Sequence, residues 1–563
     1  MTRTSHTPAT TPDRPRPAVR YDVVTHDPEV AARPPFPYAL AAGLLIGAWV
    51  VLNLAYLAFD CPLDLAPDEA HYWQWSRHLD WSYYSKGPLV AWLIRGSCEL
   101  FGVLSVRLVG TEMLAVRLPA VLSSAALLAG IYVLSDGVLK SRRAALAVVA
   151  LALTLPPITV SAVVMTIDPP FLACWCWALV GVWKAVSGGG PTWWAFAGVC
   201  SAGGVLAKYP MLLFPAAVVG FLVVNRRAEF RRGGVWLFLG LTALGCVPIV
   251  VWNAGHDWVS VRHALGQAGV GDGVKARPFR WLGPLGFAAG QCGVLLGFWS
   301  VAFVAAGYRW RRTTDTGLSL LWWASFPVWA VFLVASARNA GQVNWPAAAY
   351  VGGLVLAVAW VRAQLAGPYR RRVAAALAVA VVAGVTASVA LRYPALTRPA
   401  LARLAGPPTA ADPTPLRKLD PTCRLRGWRT LAAEIDRVRD RVKGDTGTDP
   451  ALAGMLWTTP GELAFYCRDH PPAYSFGLAL ADRHSQYDVW RPNPVADAQE
   501  FRGRSFVYVG DEIPNAAAVF DRVEPPIRVV HTEDGVPVAA WTVWVGHGFR
   551  GFPPAVRSGR PSY

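Results

Sequence analysis

Charged side chains are scarce in this chain: Asp, Glu, Lys and Arg make up only 16% of its 563 residues, against 54% hydrophobic ones. A soluble enzyme of this length needs more charge on its surface, so the deficit argues against a soluble globular class. Acidic residues are the scarcer sign, 36 against 53 basic, for a formal net charge of +17. Much of that excess sits in short clusters between apolar runs, so it gives little ground for nucleic-acid binding. The pattern of a removable signal peptide is missing as well. Residues 1–36, rich in Pro, Thr and Arg and without an apolar period, read as a disordered tail. Internal repeats, the mark of many transporters, are not evident. Cysteines number nine. Cys174, Cys176, Cys200, Cys246 and Cys292 fall in apolar runs, where a thiol acts as a small apolar side chain; Cys174 and Cys176 are too close and too apolar in setting to suggest a metal site. Cys61 with Cys98, and Cys423 with Cys467, lie outside those runs, and each pair is open between a disulfide and two free thiols.

What is abundant is apolar sequence in membrane-length runs, with 26 Trp. Runs of about 17–25 apolar residues span a bilayer, and backbone groups in lipid must bond internally, so the runs are expected to be helices. Eleven are expected, at 37–59, 114–135, 144–164, 170–186, 193–207, 210–224, 235–253, 283–307, 317–336, 346–362 and 373–391. Basic clusters at Lys140, Arg142 and Arg143, at Arg226, Arg227, Arg231 and Arg232, at Arg309, Arg311 and Arg312, and at Arg370, Arg371 and Arg372 alternate with less basic connections. The positive-inside rule makes the clustered side, with the basic N-terminal tail, cytoplasmic. The fold class expected is therefore a polytopic α-helical membrane protein of about eleven transmembrane helices with a C-terminal extracytoplasmic α/β domain. Its parts are the tail 1–36, a membrane domain 37–391 with a first extracytoplasmic loop at 60–113, and a soluble domain 392–563. In that last part "LAAEIDRVRD" has a helical period, while "SFVYVG" and "AAWTVWVG" read as strands.

The stretch "LAPDEAHYWQWSRHLDWSYYSKGPLVAWL" carries the chemistry. Pro67 suits a first helical position, which puts Asp68 and Glu69 in the first turn, where the helix dipole favours negative charge. On that helix Asp68, His71, Tyr72 and Trp75 share a face. Trp73, Trp75, Trp81, Tyr83 and Tyr84 are expected at headgroup depth as interfacial anchors. Lys86, held at a rigid turn by Gly87 and Pro88, is open between a phosphate ligand and a snorkelling lysine. Asp168 and Lys208 fall on the same expected side of the membrane, where ionisable groups are costly and usually functional; an ion pair between them is the structural alternative.

These segments carry a resemblance. "PDEAHYWQW", "YYSKGPLVAWLI", "RLPAVL", "TIDPPF" and "LAKYPMLLF", in this order, resemble the GT-C glycosyltransferases of the protein-mannosyltransferase superfamily, and more narrowly the bacterial branch related to the aminoarabinose transferase of lipid A. "WNAGHDWVSVRH" and "NAGQVNWPAAAY" are similar to two later signatures of that branch, and "GELAFYCRDHPPAYSFGL" with "SQYDVW" to its C-terminal domain. The resemblance covers nearly everything from residue 37 onward. It implies transfer of a sugar from a polyprenyl-phosphate donor to an extracytoplasmic lipid, polysaccharide or protein acceptor at the bacterial cytoplasmic membrane, with inversion and without a nucleotide.

Under that implication Asp68 is the base, Glu69 supports it, and Asp168 orients acceptor or sugar, or shares a divalent cation with Asp68. Lys86 and Lys208 hold the donor phosphate, assisted by Arg338 or His256. His71, Tyr72, His256, Asn344 and Trp345 are the substrate-binding candidates. The chemistry fits such groups independently: an attacking hydroxyl or amine needs a carboxylate for its proton, and a departing phosphate needs cations. The competing class, a transporter or lipid flippase of the cell envelope, calls for repeats and charges near the bilayer midplane.

Overall fold

The computed structural model describes residues 36–267, 279–339, 341–480, 484–513 and 515–553. The expected N-terminal tail lies, but for Phe36, outside the described residues. The membrane half is a helix bundle, because long runs of Leu, Val, Ala and Trp leave the backbone no partner but itself. It opens with α1 (Tyr38–Ala55), extended by a π turn to Asp60. Next come α2 (Pro67–Arg77), α3 (Leu89–Val109) and α4 (Met113–Leu139).

The stretch 60–113 is thus more than the loop the sequence suggested, for α3 is itself long and apolar enough to cross a membrane. Two arginines and a glutamate along it, Arg95, Arg107 and Glu99, interrupt the apolar run and hide the helix from a search for uncharged windows. Seven helices among the described residues meet the length and composition of a span, or eight if one bent pair counts as one. Six of the eleven expected runs are among the seven, and the bent pair is another.

The remaining runs are short or broken for local reasons. Residues 144–164 divide into α5 (Arg142–Ala152) and α6 (Pro156–Ser161), since Pro156 lacks an N–H and its ring blocks the preceding turn. After α7 (Asp168–Lys184) come the shorter α8 (Pro191–Ala207) and α9 (Leu213–Asn225), the latter entered through a 3₁₀ turn at Tyr209–Leu212. The helices α10 (Gly233–Leu244) and α11 (Val247–Ala254) make one span of 22 residues. A short helix absent from the expectations, α12 (Val259–Gln267), follows. Then α13 (Gly283–Val294) and α14 (Phe298–Trp310) meet at 115°, at a break where Leu296 and Gly297 take positive φ. The bundle closes with α15 (Thr316–Ala335), α16 (Ala349–Leu365) and α17 (Arg370–Arg392).

Beyond α18 (Arg398–Ala405), the C-terminal part is the small α/β domain expected from its composition. Its helices α19 (Trp428–Thr446) and α20 (Thr458–Tyr466) flank a six-stranded mixed sheet. The strands are β1 (Ala451–Gly454), β2 (Ala473–Ser475), β3 (Phe506–Val509), β4 (Phe520–Val523), β5 (Ile527–Glu533) and β6 (Val536–Phe549). Strands β2, β1 and β3 run parallel, and β6 pairs antiparallel with β3, β4 and β5. The predicted helix and both predicted strands fall in α19, β3 and β6.

One apolar cluster fuses the two halves. Tyr72, Trp73, Trp75 and Tyr83 from the α2 region pack with Ile94 of α3, Val116 of α4, Met165, and Leu431, Leu463 and Phe465 of the C-terminal domain. These aromatics are therefore core rather than interfacial anchors: of the five expected at headgroup depth only Trp81, 60% exposed, is at the surface. The C-terminal domain covers the rest, a contact across some 390 residues that no local pattern announces.

Candidate active site

Two adjacent carboxylates at the start of α2 have opposite surroundings, because successive helical residues point about 100° apart. Asp68 is exposed and faces a cavity; Glu69 is fully buried. Its carboxylate accepts from the Arg117 guanidinium at 2.9 and 3.0 Å, from the Ala66 N–H at 2.8 Å and from the Met165 N–H at 2.7 Å. Arg117, from the "RLPAVL" segment, also donates to the Leu63 and Asp64 carbonyls. Glu69 is thus neither a cavity residue nor a hydrogen-bond partner of Asp68; it ties α2 to α4 and caps the first turn.

The cavity, of about 170 Å³, lies between α2, the turn before α3, the loops before α7 and α16, and the C-terminal domain. Asp68, His71, Tyr72, Lys86, Asp168, Lys208, Asn344 and Trp345 all line it, so eight sequence candidates spread over 278 positions converge on one space. Tyr72 donates to Asp68 at 3.4 Å from the next turn. His71 is held by its neighbours rather than left for a substrate. The Trp75 indole N–H donates to Nε2 at 3.0 Å, so Nδ1 carries the proton and gives it to the Tyr487 hydroxyl at 3.2 Å, which donates onward to Gln74 at 2.5 Å.

Lys86 is placed by backbone. Its carbonyl accepts from the Tyr83 N–H at 3.1 Å and the Ser82 hydroxyl at 3.3 Å. Gly87 lets the turn press on the end of α8: a Cβ there would stand 2.2 Å from the Leu206 carbonyl oxygen. Across the cavity Lys208, at the end of the same helix, pairs with Asp168 at 2.7 Å, and Asn344 donates to the other Asp168 oxygen at 2.7 Å. The ion pair weighed as an alternative is formed, and it leaves two of the three Lys208 N–H donors for other partners.

Two candidates fall elsewhere. Arg338 sits exposed on the turn after α15, outside the cavity lining. His256 stacks on Trp252, rings 3.9 Å apart, with its Nδ1 2.8 Å from the Trp252 carbonyl. Its neighbour in sequence, His263, reaches the cavity instead, one α12 turn from Gln267. No group of three or more His, Cys, Asp or Glu among the described residues is placed to hold a metal ion, and the two Asp168 oxygens accept from Lys208 and Asn344. All nine cysteines are free thiols.

The sequence reading missed Gln342, Trp457, His484, Ser485 and Gln486, which also line the cavity. Burial holds the His484 imidazole below its usual range, against an opposing push from Asp488, so it faces the cavity neutral at physiological pH. Gln486 takes the Tyr84 N–H at 2.7 Å, fastening this wall to the Lys86 turn. The "SQYDVW" segment was the available signal, since it repeats the polar and aromatic mix of the α2 stretch.

A bundle of apolar helices whose polar cavity is closed by a first-loop helix and a small α/β domain is the GT-C fold. ArnT is a solved protein of that fold. The two structures of ArnT from Cupriavidus metallidurans, bound to undecaprenyl phosphate and apo, superpose with TM-scores of 0.58 and 0.56 at 16% and 17% identity, over 90% of this chain and 98% of theirs. Residues 85–252 match the family model for dolichyl-phosphate-mannose-protein mannosyltransferases. The lipid A galacturonosyltransferase RgtD of Rhizobium johnstonii is 29% identical over 327 residues, 56% of this chain; the chain spans 64% of RgtD's length.

Proposed function

We propose that the protein is a multi-pass membrane glycosyltransferase that moves a sugar from a polyprenyl-phosphate donor to an acceptor outside the cytoplasmic membrane, with N-terminus inside and C-terminal domain outside. The observation that carries this reading is the convergence of Asp68, Lys86 and the Lys208–Asp168–Asn344 group on one cavity.

The chemistry is a single displacement. The Asp68 carboxylate takes the proton of the acceptor hydroxyl or amine as that atom bonds to the anomeric carbon. The bond from that carbon to the phosphate oxygen breaks, and the polyprenyl phosphate leaves with the electron pair. Lys86 and the remaining Lys208 donors meet the charge that builds on it. Attack opposite the leaving group inverts the anomeric centre. Asp168, neutralised by Lys208 and fixed by Asn344, orients rather than reacts, and Trp345 and Trp457 offer apolar faces to a sugar ring.

The name of RgtD makes a uronic acid and a lipid acceptor the first pair to assay. Mass spectrometry of envelope glycolipids from cells with and without the gene identifies the sugar and its carrier. In membranes, Asp68→Asn is expected to lower transfer by about 10²–10⁴-fold with the melting temperature unchanged; undiminished turnover overturns the assignment.

A further inference from the structure

The "GELAFY" segment of α20 carries a glutamate that the transfer chemistry leaves unused. Glu462 is 1% exposed, and neither carboxyl oxygen has a hydrogen-bond partner among the described residues. It sits where α20 meets the Asp68 helix at close range: at the preceding residue, Gly461, a Cβ would stand 2.9 Å from the His71 backbone nitrogen. The charges that bear on Glu462 are three carboxylates, Asp64, Glu69 and Asp68, against one cation, Arg117. That guanidinium is already committed to Glu69 and to the Leu63 and Asp64 carbonyls.

Among the described residues the other packed elements bring no cation into an ion pair with Glu462. On α19, Arg429 pairs with Asp64, Arg439 with Asp436 and Asp449, and Arg441 with Glu524. Strand β1 holds no titratable side chain, and Tyr474 of β2 turns to the other side of the sheet against Phe501. Tyr466 of α20, half-buried, and Tyr487, buried, have hydroxyls engaged by the Leu65 N–H and by Gln74. A carboxylate left here without a partner would be costly, and a neutral acid far less so.

We propose that Glu462 serves as a neutral carboxylic acid between α20 and α2, a positioning residue that seats the Asp68 helix against the C-terminal domain, and that its ionisation loosens this contact. Burial, reinforced by the Asp64, Glu69 and Asp68 charges, holds its carboxyl well above the usual glutamate range. The sign follows from that direction. The folded chain keeps the proton more tightly than the unfolded one, so the stability linked to Glu462 is complete below about pH 4.3 and is lost as pH rises through the folded-state value.

The test uses the purified full-length protein in nanodiscs. Glu462→Gln, which cannot ionise, is expected to melt at least about 3 °C above the wild type at pH 8 and to converge with it at pH 5. Glu462→Met is the second neutral variant. If both fail to fold, or if Glu462→Gln melts below the wild type by the same amount at both pH values, the side chain is needed as an anion and the proposal falls. The consequence for turnover rests on the transferase reading: the wild type should lose transfer at alkaline pH with kcat falling more than KM rises, and Glu462→Gln should keep it. Absence of transfer in the wild type sinks that reading while the melting comparison still decides the role of Glu462.

Discussion

At the start of α2 the rotation of one helical residue separates a carboxylate that faces substrate space from one that holds the fold. Asp68 reaches the cavity; Glu69 fills the interior with four accepted hydrogen bonds. Their replacements should fail in different ways. Asp68→Asn is expected to melt like the wild type and turn over poorly. Glu69→Ala strands the Arg117 guanidinium in an apolar interior, a loss of about 3–5 kcal/mol, so the variant should accumulate poorly and melt far lower. A Glu69→Met, Arg117→Met pair should recover much of that loss, because it removes both charges together. The division between the two acids was legible from helix geometry alone. Arg117 was not, since its pairing closes a loop of 48 residues and nothing local marks one arginine in an apolar helix as the partner. Arg338 and His256 were chosen for chemistry and side of the membrane. Position within a turn, which the sequence does not specify, took both away from the cavity.

Elements act on the site through a few close contacts. The Lys86 turn rests on α8 through Gly87, where a Cβ would collide with the Leu206 carbonyl. Gly87→Ala should displace the turn and raise KM for the lipid donor more than it lowers kcat, as steady-state kinetics in detergent would show; an unchanged KM would separate Lys86 from donor binding. A second contact holds the opposite wall. Gln291 on α13 donates to the Val343 carbonyl at 3.0 Å, next to Asn344, and accepts from the Tyr350 hydroxyl at 2.7 Å. Gln291→Leu removes the donor to the Val343 carbonyl and the acceptor of the Tyr350 hydroxyl, which keeps its bond from the Trp329 indole N–H; losing the two bonds should cost about 1–3 kcal/mol and weaken the Asn344–Asp168 contact. Thermal melting and donor affinity measured together check it. The apolar runs made the helices readable, whereas the breaks at Pro156 and at Leu296–Gly297 depend on how neighbouring helices use them.

For the whole molecule, the apolar cluster shared by α2, α3, α4 and the C-terminal domain makes the two halves one folding unit. Ending the chain after residue 392 should expose Trp73, Trp75 and the α3 surface. Such a truncation is expected to aggregate in detergent and to show no transfer, by size-exclusion chromatography and activity assay; a monodisperse, active product would mean the C-terminal domain is dispensable. Composition was enough to separate the halves, since charge and proline return near residue 392. It could not show that the second half walls the cavity of the first.

That wall has a consequence in time. Asp68 and Lys86 are made before Trp457 and His484–Gln486, which complete their cavity and emerge from the ribosome some 400 residues later. A nascent chain therefore carries Asp68 through some 400 further residues of synthesis without its complete cavity. The cavity closes only when residues 457–486 have been made and have folded back, so the order of synthesis delays its completion until the C-terminal domain is present.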